Sequence, residues 1–139
     1  MSVWGTEGDA ILAVVRTALE GALASGTVGA EVGFRDPSKL ETAELPHAML
    51  YNPRSTDNPI DFGQTEVTST YQFELWADTT QAALAAYRDA ILEEVNADTT
   101  LGGRVVRFRL TDSGILENQS NVEGRRVLVI QFQTFKVEG

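Results

Sequence analysis

Between Thr65 and Ala77 the sequence TEVTSTYQFELWA shows the clearest alternation in the chain. Val67, Tyr71, Phe73, Leu75 and Ala77 share one parity, and Glu66, Thr68, Thr70, Gln72 and Glu74 share the other. Side chains along a strand point to opposite faces in turn, so this pattern specifies a strand with one buried face and one polar face. At ~3.4 Å per residue it reaches about 43 Å, longer than a single layer of a 139-residue domain is expected to cover. Its first half is therefore expected to project, or to pair with the segment before it as an extended hairpin.

The rest of the chain has to fit around that strand. A helix is predicted from about Asp9 to Ser25, with Ile11, Val15, Leu19 and Leu23 recurring every four residues and Leu12 and Ala22 widening the stripe. Thr6 or Asp9 is expected to cap its start, Gly26 to end it, and Trp4 to lie ahead of it. Residues Thr27 to Phe34 alternate as a short edge strand, and HAMLY, entered through Pro46, reads as another. Asn52 to Gln64 holds two prolines and reads as a polar loop; a loop of that length usually has a function.

A second helix is expected to begin at an Asp78 cap with Gln81 opposite it. It carries Leu84, Tyr87, Ile91 and Val95 on one face with Leu92 beside them. Gly102-Gly103 marks a turn into RVVRFRL, a strand with Val106, Phe108 and Leu110 on one side and Arg107 and Arg109 on the other. Residues 111 to 125 read as a second polar loop, and RRVLVIQFQTFKV as a central strand with a bulge or a change of burial near Gln133.

The fold class is therefore α+β. A mostly antiparallel or mixed sheet of about four to five strands is expected, with two main helices packed on one face. The order is α-β-β-β-α-β-β, with an extended hairpin or arm near residues 52–70. Residues 1–139 are read as one domain, without repeat or linker.

Composition narrows the function. Twenty acidic against eleven basic side chains leave a net charge of -9, which opposes both duplex coating and attachment to anionic membrane. Cysteine is absent, so disulfides, thiolate catalysis and cysteine-based zinc sites are excluded. His47, the single histidine, enters an apolar strand and is read as structural or surface. Asp57 and Asp61 with nearby Glu66 match no calcium-loop spacing and are read as solvated or interface carboxylates. No phosphate-loop or nucleophile-elbow motif occurs. The reading names no catalytic, cofactor-binding or metal-ligating set. MSVWGTEGD lacks a basic n-region, so the expectation is no secretory signal and synthesis in the cytoplasm. Charge is uneven: residues 104–139 hold six basic and four acidic groups (+2), and the first 103 hold five and sixteen (-11). Such asymmetry reads as a solvated face or as an acidic surface of one subunit meeting a basic surface of another, with a nucleic-acid groove as the third reading.

Taken together, ILAVVRTALEGAL, LPHAMLYNP, the proline-and-acid loop, QTEVTSTYQFELWAD, AALAAYRDAILEEV and RRVLVIQFQTF follow one another in an order that resembles the tail terminator proteins of long-tailed bacteriophages and related gene transfer particles. The resemblance implies a non-enzymatic virion protein, a homo-oligomer forming a hexameric ring at the head–tail junction. Such a ring caps the tail tube protein and meets a head connector or head-closure protein, while DNA passes through its lumen without specific binding. It implies that Arg54, Asp57, Asp61 and Glu66 lie on an arm touching a neighbour or the tube, and that Arg107 and Arg109 pair between subunits. Asp112, Glu117, Glu123 and Arg125 would then belong to a second interface loop. A head-closure or other neck protein of the same particle is the alternative, and a small enzyme or ligand-binding domain the third reading.

Overall fold

The computed structural model describes residues 3–22, 29–32, 46–117 and 125–138. Among these the chain runs α1 (Val3–Ala22), β1 (Gly29–Val32), β2 (His47–Pro59), β3 (Thr65–Ala77), α2 (Gln81–Ala97), β4 (Arg107–Glu117) and β5 (Arg126–Glu138). The strands form one mixed sheet in the order β1-β2-β3-β5-β4. β1 pairs parallel with β2, and every other neighbour is antiparallel.

Both helices cover one face. Ile11, Val15 and Leu19 of α1 and Leu84 and Ile91 of α2 are completely buried there against Leu50, Phe73, Leu75, Leu128 and Phe132. At the centre, the Phe132 ring lies 5.6 Å from Phe73 and 5.5 Å from Phe108 between centroids. The opposite face has a small cluster of its own, Met49, Trp76 and Val127, with Tyr51 and Val129 packed against it. Trp76 therefore sits on that face and not beneath α2.

The long strand is real over all thirteen residues, and it does not project alone. β5 pairs with it from Ala77–Arg126 to Thr65–Glu138, and β2 flanks its other edge as far as Pro59–Thr65. Most of the segment expected to be a loop is thus the outer half of β2, and the hairpin alternative holds. An edge strand exposed on both faces has no buried side to produce alternation, so its polar sequence reads as loop.

Other boundaries move for local reasons. Helix α1 already includes Trp4, Thr6 and Asp9, so neither Thr6 nor Asp9 caps it. Residues 23–28, with Gly26, lie outside the described residues, as do the ends of the predicted edge strand around β1. Helix α2 is capped by Thr80, whose hydroxyl accepts from the Ala83 amide at 3.2 Å. Residues 78–80 span from sheet to helix layer, which moves the cap from Asp78 to the last of three capable residues. Leu92 is exposed, outside the stripe of Leu84, Ile91 and Val95.

In the turn after α2, Leu101, Gly102 and Gly103 have φ of 50, 67 and 89°, a left-handed run that two glycines make accessible. The turn buries Val105 and leaves Val106 61% exposed, reversing the expectation for that residue. The expected irregularity near Gln133 lies instead in the partner strand. Leu110 pairs with Phe132 and Asp112 with Gln131, so Thr111 is the extra residue of a bulge in β4. β5 keeps one parity throughout: Leu128, Ile130, Phe132 and Thr134 are buried on the helix face.

Candidate functional site

Among the described residues, the outer half of β2 and the turn that follows it form the longest exposed run. Residues 52–59 are exposed without exception, while Val67 and Ser69 opposite them are buried on the face of β3 that carries the helices. The arm starts at a bulge between Tyr51 and Arg54, where Asn52 adopts φ 54°. Asparagine tolerates that left-handed backbone better than most residues. Across the base of the arm the Asn52 amide nitrogen donates to Gln72 Oε1 at 2.8 Å.

Strand amides alternate between pairing and outward directions. At the turn the Ile60 amide donates inward to the Gln64 carbonyl at 2.8 Å. By alternation, Pro59, Asp57 and Ser55 turn outward, and Pro59 has no amide hydrogen to offer. Pro53, in the bulge, has none either. The two prolines remove donors that a further strand would use at this edge, a common protection of exposed edges.

Arg54 and Asp57 sit on the arm in register with Thr70 and Val67. Asp61 lies in the turn, and Glu66, half-buried on β3, accepts from the Asn58 side chain at 3.4 Å. Arg107 and Arg109 lie far from this group along the opposite, β4 edge. Arg107 stacks over the Phe135 ring at 5.7 Å, and Arg109 donates twice to Gln133 Oε1, at 3.1 and 2.7 Å. One row across the sheet nevertheless joins the two edges: Arg54, Thr70, Gln133 and Arg109 are successive register partners on the face away from the helices. The arm's arginine and the β4 arginines thus border one polar surface.

The second predicted loop divides. Residues 111–117 belong to β4; there Asp112 accepts from the Ser113 amide at 2.9 Å, and Glu117 is in register with Arg126. Glu123 lies outside the described residues. Arg125 is buried, 4% exposed, so it is not an exposed loop residue. His47 is likewise buried where β2 enters the sheet, in register with Trp76.

A cluster that sequence reasoning missed joins α1 to the base of the arm. Glu7 is 5% exposed, and its carboxylate accepts from Tyr71 Oη at 3.0 Å, Thr134 Oγ1 at 2.5 Å and Lys136 Nζ at 3.3 Å. On the other face Glu74 accepts from the Tyr51 hydroxyl and from Trp76 Nε1, the latter at 2.8 Å. Burial, then the neighbouring Glu7 carboxylate, pushes the Tyr71 hydroxyl well above its ordinary value; burial and Glu74 do the same to Tyr51. For Lys136 burial opposes the charge, but Glu7, together with Glu138, more than offsets it and holds the ammonium above its ordinary 10.5.

Each of these groups holds its proton more tightly folded than unfolded. The stability they contribute is therefore complete below their unfolded pKa values and is lost as pH rises from about 10. The unfolding free energy from urea titrations is expected to stay level from neutral pH to about 9 and then to fall, by up to ~1.4 kcal/mol per pH unit for Tyr71 and by less for the more solvent-screened Tyr51 and Lys136. A Tyr71→Phe chain is expected to show a shallower alkaline fall. An identical slope in that variant would exclude Tyr71 from the effect.

Among the described residues no group of three or more His, Cys, Asp or Glu is placed to hold a metal ion, and no helix is long and apolar enough to cross a membrane. No family model and no curated protein matches the chain. A solved structure does: a chain of the "Virion of native gene transfer agent (GTA) particle" is similar with a TM-score of 0.56 and 18% identity, over 91% of this chain and 86% of that one. The chain therefore shares the fold of a protein found in that virion.

Proposed function

We propose that this chain is a structural virion protein of the tail, which forms a ring on the end of the tail tube, stops its growth and presents the surface that meets the head connector. The observation that carries the reading is the likeness of fold, over nearly all of both chains, to a component of a gene transfer agent virion. The element order resembling tail terminators agrees with it. An exposed outer β2 strand ending in a turn suits work done by surfaces, with no bond made or broken.

On this reading the ring is a hexamer with heterologous contacts, one surface of each subunit meeting a different surface of the next. The arm, with Arg54, Asp57, Asp61 and Glu66, reaches a neighbour or the tube. Arg107 and Arg109, on the β4 edge, meet acidic groups of an adjoining subunit. The net charge of -9 then serves passage of DNA: an acidic bore repels phosphates and does not retain them. A continuous arginine-lined bore would contradict this.

Electron microscopy of particles made without the gene tests the assignment. Tails of abnormal length, or unfinished tails, are the expected result. Filled heads that leak DNA beside tails of normal length would assign the chain to head closure instead.

A further inference from the structure

The turn between β2 and β3 places Phe62 in solvent, 99% exposed, with Ile60 37% exposed beside it. Its backbone is left-handed, φ 66° and ψ 33°, a conformation that costs a residue with a Cβ about 1–2 kcal/mol. Glycine or asparagine would form this turn with less strain, and the ring makes no contact that repays it within the chain. A strained, fully solvated aromatic at the tip of an arm serves something outside its own fold.

A second feature supplies a complement. Between α1 and the C-terminal end of α2 lies a cleft of ≈ 350 Å³, lined by Ala10, Ala13 and Val14 on one side and by Glu94, Asp98 and Arg104 on the other, among others. Ala10, Ala13 and Gly102 leave room there for a ring. Arg104 lines the cleft without an ion pair among the described residues, so its guanidinium can lie on an aromatic face. Since Phe62 is almost wholly exposed, it does not occupy the cleft of its own chain.

We propose that Phe62 is a knob that seats in the α1–α2 cleft of a second copy of this chain. Knob and cleft lie on different parts of one molecule, so the contact is head-to-tail, the kind that propagates around a ring. This deepens the reading of the chain as a ring subunit and rests on it. Phe62 supplies the buried aromatic anchor of the contact, and the polar arm behind it fixes the approach.

The absence of cysteine makes the contact testable by directed cross-linking. Under mild oxidation, a chain carrying both Phe62→Cys and Ala13→Cys is expected to give a ladder of disulfide-linked multimers. Mixed single variants are expected to give dimers of one Phe62→Cys and one Ala13→Cys chain. In native mass spectrometry, Phe62→Asp and Ala13→Trp should each abolish the ring with no loss of the thermal unfolding transition. Mixing those two should restore only a one-to-one dimer, through the intact cleft of the first and the intact knob of the second. Rings that survive Phe62→Asp overturn the knob while the ring reading stands. Dispersal by Phe62→Asp without an effect of Ala13→Trp, or cross-links only from tip to tip, overturns the cleft as its seat. A wild-type chain that remains monomeric at every concentration overturns both readings.

Discussion

Phe132→Ala is expected to destabilise the fold by about 3–5 kcal/mol, read as a lowered urea midpoint with the slope of the transition unchanged. The ring is fully buried in the middle of β5, an interior strand, and packs edge-on against Phe73 and tilted against Phe108. Its register partners are Tyr71 on one side and Leu110 on the other, immediately before the β4 bulge. Removing it takes away one layer of the core and leaves a cavity that a paired interior strand cannot move to fill. Phe132→Leu retains most of the volume and is expected to cost less than ~1.5 kcal/mol. An alanine cost below ~1.5 kcal/mol would mean that the sheet and helices close over the gap. The contrast with Phe62 is diagnostic: the same residue type governs stability at one position and assembly at the other.

How far the fold could be read from the sequence depended on burial. β3 and β5 are flanked by strands on both edges, so Val67 to Ala77 carry an alternation visible without coordinates, and the apolar run from Val127 to Ile130 marks β5 as a central strand. Leu84, Ile91 and Val95 declared α2 in the same way. The outer part of β2 and residues 111–117 of β4 are edge segments; nothing buried imposes a period on the first, and in the second only Ile115 packs partly on the core. Thr111 adds a bulge that shifts parity, which conceals a strand even where its core side is present. The arm was legible as a position, and Phe62 stood in NPIDFGQ as one aromatic in a polar turn. Its importance depends on its exposure and its backbone angle, which no local pattern reports. Charged residues gave positions without partners: Arg109 finds Gln133, and Arg125 turns inward.

Glu7 shows that a signal can be present and still be misread. It continues the stripe of Ile11, Val15 and Leu19 by one more step of four, so helical spacing places a carboxylate on the buried side of α1. Thr134 similarly continues the buried parity of Leu128, Ile130 and Phe132. The two meet, with Tyr71 and Lys136, where α1 crosses the end of the sheet that carries the arm. Glu7→Ala is expected to cost about 3–5 kcal/mol, because it strands two buried hydroxyls and an ammonium that is only 15% exposed. Glu7→Gln keeps an acceptor and should cost less. In a Glu7→Gln, Lys136→Met chain neither charge remains, so the double loss should be smaller than the sum of the two single losses. Hydrogen exchange locates the effect: in Glu7→Ala, protection should fall first in Thr65–Thr70 and their β5 partners Gln133–Glu138. Uniform loss across the sheet would contradict a local clamp. The amides at risk belong to the strands against which the arm is built. Loosening them weakens the base from which Phe62 is presented, so Glu7→Ala should reduce assembly even at temperatures where the monomer remains folded.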